Sequence, residues 1–124
     1  MSRFSDILMD HFNAPRNRGR MESPDRVGVA GTLGQGPFLV LMLRVQNDRV
    51  AEAKCETQGC GVTIAAGSML TELIVHRSLD GCRAITTDQL IEALGGVPSD
   101  KAHAPALAVT ALQNALGSGG GERT

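Results

Sequence analysis

Apolar residues change their spacing along the chain, and these changes predict the order of its elements. Near the start they recur three or four residues apart, which is typical of one face of an amphipathic helix. The residues on this face are Phe4, Ile7, Leu8, His11 and Phe12. Ser2 is predicted to cap this helix. Pro15 is predicted to end it, because proline disfavours helical geometry in the residue before it.

Three segments in the next part of the chain predict β-strands. Residues 26–32 form a short candidate containing two glycines, and residues 38–45 are apolar on both faces for most of their length. Residues 50–57 alternate strictly, which is typical of a half-buried strand. Small residues share one face of this strand, namely Ala51, Ala53, Cys55 and Thr57. With turns between the segments, the pattern predicts a meander of about three antiparallel strands.

After residue 60 the apolar spacing becomes helical again. The first of these predicted helices ends near His76, and a short second one runs from 78 to 85. A third follows a capping box at Thr86 to Gln89. The last has Pro105 in its first turn and ends at Gly117. One helix, then strands, then several helices predict an α+β fold, with helices packed on one face of a small antiparallel sheet. We expect a single domain over residues 1–117 and a flexible tail over residues 118–124.

Composition narrows the classes of function. The 124 residues carry a formal net charge of −1, with no Trp, no Tyr and three Phe. Such a chain lacks the basic patches and aromatic platforms of many nucleic-acid binders. No apolar run approaches the ~20 residues of a membrane-spanning helix. We therefore expect a cytoplasmic protein that binds neither nucleic acid nor membrane.

Cys60 is the first candidate for chemistry. The chain has three cysteines, an odd number that argues against a disulfide framework in a reducing compartment. Gly59 and Gly61 flank Cys60, and without side chains they would let a ligand or partner approach the sulfur. A position at a helix N-terminus favours the thiolate, which is the nucleophilic and metal-binding form. The alternative is a tight turn that contains a small buried thiol.

His103, Lys101 and the two other cysteines are weaker candidates. His103 precedes a helix and could bind metal or take up a proton, or it could simply be solvated. Lys101 could hold an anion or steer a partner, or be an ordinary surface lysine. Cys55 and Cys82 lie on apolar faces of their predicted elements, which favours structural roles.

Several motifs together resemble one known family. They are Asp10-His11-Phe12, Pro15-Arg16-Asn17, Thr57-Gln58-Gly59-Cys60-Gly61 followed by Ile64 to Ser68, Ser78-Leu79-Asp80, and Lys101-Ala102-His103. In this order they resemble the IscU/NifU-type iron–sulfur cluster assembly scaffolds, over roughly residues 4–116. The resemblance implies a scaffold protein rather than an enzyme. It also implies sulfur supplied by a cysteine desulfurase and clusters passed on to recipient proteins.

The resemblance implies a ligand set that this chain holds only in part. In the family, three cysteines with a carboxylate or histidine hold a transient [2Fe–2S] cluster or a zinc ion. Here Gln35 takes the place of the first cysteine, Pro37 that of the aspartate, and Ala104 that of the third cysteine. Cys60 and His103 match and are the predicted metal ligands. Gln35, Pro37, Lys101 and Ala104 are expected to line the site.

Three functions remain open on this basis. The first is a divergent scaffold for cluster or metal handling, whose cluster, zinc or iron ion is weakly bound or shared between subunits of a homo-oligomer. The second is a binding or regulatory module without metal that docks to cysteine desulfurase or other assembly proteins. The third is a thiol or persulfide carrier that acts through Cys60.

Overall fold

The computed structural model describes residues 3–32 and 34–117. Its helices are α1 (Asp6–Asn13), α2 (Gly61–Ile74), α3 (Leu79–Arg83), α4 (Thr87–Ala93) and α5 (His103–Leu116), with a 3₁₀ turn at Ser99–Lys101. Its strands are β1 (Arg26–Gly31), β2 (Phe38–Gln46) and β3 (Arg49–Gln58). Within the described ranges these strands form an antiparallel sheet in the order β1-β2-β3. The predicted meander and the α+β class are confirmed.

The sheet has one face turned to the helices. Leu39, Leu41 and Leu43 of β2 project from this face and are fully buried. α5 lies on β1 and β2, while α2 lies on β3 and alongside α5. On the opposite face, Val27 and Val29 of β1 remain 49% and 48% exposed. The period-two alternation therefore sorts side chains between a helix-covered core and an outer face.

Gly28 allows α5 to approach β1 closely. A Cβ at this position would lie 2.0 Å from the carbonyl oxygen of Ala111 and 2.4 Å from the amide nitrogen of Ala115. Only a residue without a side chain fits such a contact between strand and helix backbone. From the sequence Gly28 is only one of two glycines in a short candidate strand, whereas in the fold it is required for packing.

The predicted alternation of β3 is wrong at Ala51. The register between β2 and β3 shifts between Arg44 and Val45, so that Val45 pairs with Val50 and Arg44 with Glu52. Ala51 is the extra residue of this β-bulge, and a bulge moves the following side chains to the other face. Val50 consequently joins the core, fully buried, while Ala51 is half-buried.

Helix α1 begins later than predicted. Ser5 is its N-cap, and the Ser5 hydroxyl accepts a hydrogen bond from the Leu8 N–H at 2.9 Å. The same hydroxyl donates to the Leu94 carbonyl, which ties the start of α1 to the end of α4. Ser2, the predicted cap, lies outside the described residues. The buried stripe is also narrower than predicted, because Ile7 and Phe12 are 46% and 40% exposed.

Most other predicted helix boundaries agree with the structure, but α5 begins at His103, which was expected to lie just before the helix. Ser78 caps α3 by accepting the Gly81 N–H, and Thr86 and Gln89 form a reciprocal capping box at α4. Pro105 lies in the first turn of α5, which ends at Gly117. The predicted tail, residues 118–124, lies outside the described residues.

Candidate functional site

Cys60 is the N-cap residue of α2, directly after β3. Its backbone is extended, with φ −76° and ψ 173°, and its carbonyl oxygen accepts the N–H groups of Thr63 at 3.0 Å and Ile64 at 3.3 Å. The Cys60 side chain therefore lies at the first turn of a fourteen-residue helix. N–H groups in a first turn have no partner within the helix, and they favour negative charge nearby.

The surroundings of Cys60 lower the pKa of its thiol. Partial burial opposes ionisation, but it is outweighed by hydrogen bonding from the Thr63 backbone and hydroxyl and from the Val62 backbone. The positive charge of Lys101 acts in the same direction. The Thr63 hydroxyl lies 3.7 Å from the sulfur and is itself fully buried. Since the thiolate is the reactive form, the site favours nucleophilic attack or metal binding by Cys60.

The two glycines beside Cys60 serve packing, which differs from the expected open approach to the sulfur. A Cβ on Gly61 would lie 2.8 Å from the ring of Phe12, and one on Gly59 would lie 2.9 Å from the Thr63 hydroxyl oxygen. Gly59 also has φ +150°, a conformation that side chains disfavour. The protein's own side chains therefore occupy the space that the glycines leave.

An apolar cavity of about 230 Å³ opens beside the Cys60 side chain. Phe4 and three residues of α1 form one wall, and the start of α2 and Lys101 form the other. The α1 residues are Leu8, Met9 and Phe12. The site thus combines a thiol of lowered pKa, one cationic group and a largely apolar surface.

The structure brings only part of the predicted site together. Lys101 lines the same cavity as Cys60, and its positive charge favours the Cys60 thiolate. Pro37 lies against Gly59, with its Cβ 3.0 Å from where a Gly59 Cβ would be. Gln35 is exposed in the turn between β1 and β2. His103 is exposed at the start of α5 and is not among the described residues that line the cavity.

Ala104 lies in the first turn of α5 and is fully buried, so its methyl group belongs to the core. Across the described residues, no group of three or more His, Cys, Asp or Glu side chains could hold a metal ion. An iron–sulfur cluster normally requires about four good ligands, mostly thiolates. The described part of one chain does not fit a whole cluster. The assignment of Cys60 and His103 as metal ligands stays a prediction.

Cys55 and Cys82 occupy core positions, in agreement with the expected structural roles. Both are buried, at 3% and 0% exposure. Burial raises the pKa of Cys55 to about 11 and also raises the pKa of Cys82. Burial disfavours ionisation of both thiols, whereas the surroundings of Cys60 favour ionisation of its thiol.

Sequence reasoning missed two features around the site. The first is the contact of the Thr63 hydroxyl with the Cys60 sulfur. Thr63 follows the N-cap cysteine by three residues, the spacing at which a first-turn side chain can face the capping residue, so the sequence contained a signal for this contact. The apolar spacing predicts His11 only as part of an apolar helix face. In the fold His11 is 4% exposed, and its Nδ1 lies 2.7 Å from the Ser68 hydroxyl oxygen of α2. No local signal in the sequence pairs these two residues.

The fold and the site define a small α+β protein with a thiol of lowered pKa at a strand-to-helix junction. The family model described as NifU-like N terminal domain matches residues 3–119. The chain belongs to this family.

Relatives with established names are similar over most of the chain. The iron–sulfur cluster assembly scaffold protein IscU 1 of Archaeoglobus fulgidus is 38% identical over 113 residues, which is 91% of this chain and 74% of the relative. The nitrogen fixation protein NifU of Cereibacter sphaeroides is 44% identical over 108 residues, 87% of this chain and 44% of the relative.

A solved structure shows the same fold at low sequence identity. The N-terminal part of a nitrogen-fixing NifU-like protein from Brucella abortus superimposes with a TM-score of 0.74, at 15% identity and with 90% of each chain covered. None of the helices in the described ranges has the length and apolar character needed to span a bilayer.

Proposed function

We propose that this chain acts in iron–sulfur cluster assembly as a scaffold-type protein that binds its cargo through the Cys60 thiolate. Family membership and the relatives named for cluster assembly support this class of function. The observation that carries the proposal is the position of Cys60 at the N-terminus of α2, where Thr63 and Lys101 lower the pKa of the thiol. Its role is to hold cargo, not to turn over a substrate.

The deficit of ligands implies that the site is completed from outside one chain. Two copies that face each other would supply two Cys60 thiolates and two His103 imidazoles. A Cys₂His₂ set suits zinc, and mixed cysteine and histidine ligation also occurs at [2Fe–2S] centres. We therefore propose a homo-oligomer in which cargo, a [2Fe–2S] cluster or a zinc or iron ion, is shared weakly between subunits.

Anaerobic reconstitution with ferrous iron and sulfide, followed by sizing and iron analysis, tests the shared site. We expect a visible chromophore that elutes with a dimer and is lost in Cys60→Ala and His103→Ala. Cys82→Ala is the matched control, because it removes a buried thiol that lies at the C-terminal end of α2, whereas Cys60 caps its N-terminal end, and it should keep the chromophore. If no oligomer of the wild-type protein carries a chromophore, cluster sharing is wrong.

Sulfur acceptance by Cys60 is a second candidate function, favoured by the lowered pKa of its thiol and by Lys101. In this step the Cys60 thiolate attacks the terminal sulfur of a cysteine persulfide on a donor protein. A new S–S bond forms at Cys60, the donor's S–S bond breaks, and the donor cysteine leaves as a thiolate. The exchange needs no added oxidant or reductant.

Intact-mass analysis after incubation with a cysteine desulfurase and free cysteine tests this step. We expect a gain of one sulfur atom that maps to Cys60, is removed by a thiol reductant, and is absent in Cys60→Ser. Should the protein bind the desulfurase without gaining sulfur or metal, it is instead a binding module. Cysteine desulfurase and cluster-recipient proteins are the proposed partners. The cytoplasm is the proposed location, since it keeps unpaired thiols reduced.

A further inference from the structure

A polar cavity of about 310 Å³ lies at the end of the sheet remote from Cys60. Its lining residues come from the start of β1, the turn between β2 and β3, and the region of α3; they are Arg26, Asp48, Ser78, Leu79, Asp80 and Arg83. Strand β3 separates the two sites, because it begins next to Asp48 and its ten residues end shortly before Cys60. At ~3.3 Å per residue, the strand is about 30 Å long. The cavity is therefore distinct from the Cys60 site.

Arg26 brings to this cavity a guanidinium that has no carboxylate partner. Its Nη1 donates to the carbonyl oxygens of Leu116 at 3.0 Å and Ala115 at 3.5 Å, at the end of α5. These contacts hold the guanidinium in place but use only part of its N–H donors. None of the ion pairs among the described residues includes Arg26. Arg26 therefore keeps donors with which it can bind a carboxylate.

Asp48 brings the opposite charge, without a cationic partner. It lies in the turn between β2 and β3 with φ 60°, and its carbonyl oxygen accepts the Leu79 N–H at 2.9 Å, which attaches the turn to the start of α3. In the described part of the chain, the Asp48 carboxylate forms no ion pair with Arg26 or with any other cation. An unpaired cation and an unpaired anion thus line one cavity, each fixed on its own element.

The other two charged side chains of the cavity pair with each other. Nη1 of Arg83 donates to the Asp80 carboxylate at 2.7 Å, and the Asp80 side chain is 94% exposed. Nε of Arg83 is buried and has no hydrogen-bond partner among the described residues. The Ser78 hydroxyl accepts the Gly81 N–H at 3.0 Å and keeps its own proton to donate. These side chains add donors to the cavity without adding an unpaired charge.

We propose that this cavity binds a free α-amino acid, whose carboxylate meets Arg26 and whose ammonium group meets Asp48. A ligand with one charge leaves one of the two side chains without a partner, whereas a zwitterion gives each of them a charge-assisted hydrogen bond. The volume lies at the lower end of the range for small-molecule sites, roughly 300–1,000 Å³. Binding here needs neither metal nor sulfur, so it is independent of the function proposed for Cys60.

Titration of the isotope-labelled chain, followed by the NMR shifts of its backbone amides at about pH 7, tests the cavity. The probes are L-alanine and two molecules that each lack one of its charged groups, propionate and ethylammonium, at constant ionic strength. We expect L-alanine to cause saturable shifts at residues 47–49 and 78–83. Each one-charge probe should bind at least ~10-fold more weakly, because it loses a charge-assisted hydrogen bond. Propionate or ethylammonium binding as tightly as L-alanine overturns the proposal, and so does the absence of saturable shifts with L-alanine.

Substitutions at the two unpaired side chains test their roles. Asp48→Asn removes the charge and suits the backbone of the turn, since asparagine tolerates positive φ; it should weaken L-alanine binding at least ~10-fold. Arg26→Gln should have the same effect. Asp88→Asn is the matched control, because Asp88 is exposed on α4 and is not among the described residues that line the cavity. It should bind L-alanine like the wild type.

Wild-type affinity for L-alanine in Asp48→Asn overturns the proposal. Arg26→Gln also loses contacts with the end of α5, and if it does not fold, Asp48→Asn and the one-charge probes decide the question. These measurements contain no iron, sulfide or sulfur donor. Failure of the amino-acid site is therefore distinguishable from failure of the function proposed for Cys60.

Discussion

Cys55 and Cys60 face the same helix, yet the fold gives their thiols opposite properties. Cys55 lies in β3 against the middle of α2, where a Cβ on Gly67 would be 2.8 Å from its sulfur. Its pKa is raised to about 11 by burial. Cys60 caps the start of α2, and hydrogen bonds outweigh burial there, so the pKa of its thiol is lowered.

The difference lies in which part of the helix each sulfur meets. In the middle of a helix every backbone N–H is bonded within the helix, so for Cys55 burial is the largest cause of its pKa shift. In the first turn the N–H groups have no partner within the helix, so Cys60 finds donors and a favourable dipole. The position of a thiol along a helix thus determines whether burial or hydrogen bonding dominates its chemistry.

The largest expected effect of this difference is on the rates at which Cys60 and Cys55 are alkylated. At about pH 8 the Cys55 thiolate fraction is about one in a thousand, given its raised pKa. Cys60 should react with iodoacetamide at least ~100-fold faster than Cys55 in the folded protein. Peptide mapping by mass spectrometry measures both rates. Similar rates for the two cysteines would contradict the contrast, and equal rates in denaturant provide the control.

Gly67→Ala should be the more costly of two matched glycine substitutions. Its Cβ would meet the Cys55 sulfur and also approach Thr57 and Leu39 within the core. Overpacking costs roughly 1–3 kcal/mol, against a gain in helix propensity of at most about 1 kcal/mol. We expect a net loss of about 1–2 kcal/mol in urea unfolding, partly recovered by adding Cys55→Ala. A variant as stable as wild type would show that this contact relaxes freely.

Gly61→Ala should cost less than ~1 kcal/mol at the Cys60 end of the helix. The contact here is with the ring of Phe12, which is 40% exposed and can move toward solvent. The same urea experiment on the double variant Gly61→Ala, Phe12→Leu should restore most of the stability. A loss larger than that of Gly67→Ala would mean that this end is as tightly packed as the core.

Thr63→Val gives the smallest expected effect and isolates the hydroxyl near Cys60. Losing one hydrogen-bond donor to the thiolate should raise the pKa of Cys60 and slow its alkylation a few-fold at about pH 7. Thr63→Ser, which keeps the hydroxyl, should react like wild type. Rate profiles against pH measure both variants, and identical profiles for valine and threonine would remove Thr63 from this role.

Most of the fold was predictable because its signals are local. The strands 26–32 and 38–45, the caps at Ser78 and Thr86 and the end at Gly117 follow from residues within a few positions of each other. The errors arose where the local structure depends on contacts with segments that are distant in the sequence. The bulge at Ala51 is visible only from the partner strand. The capping of α1 by Ser5 is reinforced by a carbonyl of α4.

The candidate site was predictable only in part, for the same reason. The Gly-Cys-Gly motif at 59–61 placed Cys60 at a helix start, and that position is correct. The glycines looked like access to the sulfur, but Phe12 and Thr63 fill the space beside them. Ala104 was expected at the site, yet its methyl group is in the core.

The sequence by itself determined the order of the elements, the family and the one thiol suited to chemistry. The tertiary structure decided what surrounds that thiol: Lys101 from a distant turn and Phe12 from α1 line the cavity beside it. Among the described residues it assembles no group of three or more His, Cys, Asp or Glu side chains that could hold a metal ion. It also decided that His11 lies buried on Ser68. Periodicity reports which side of an element is apolar, whereas hydrogen bonds and charge depend on atoms that only folding brings together.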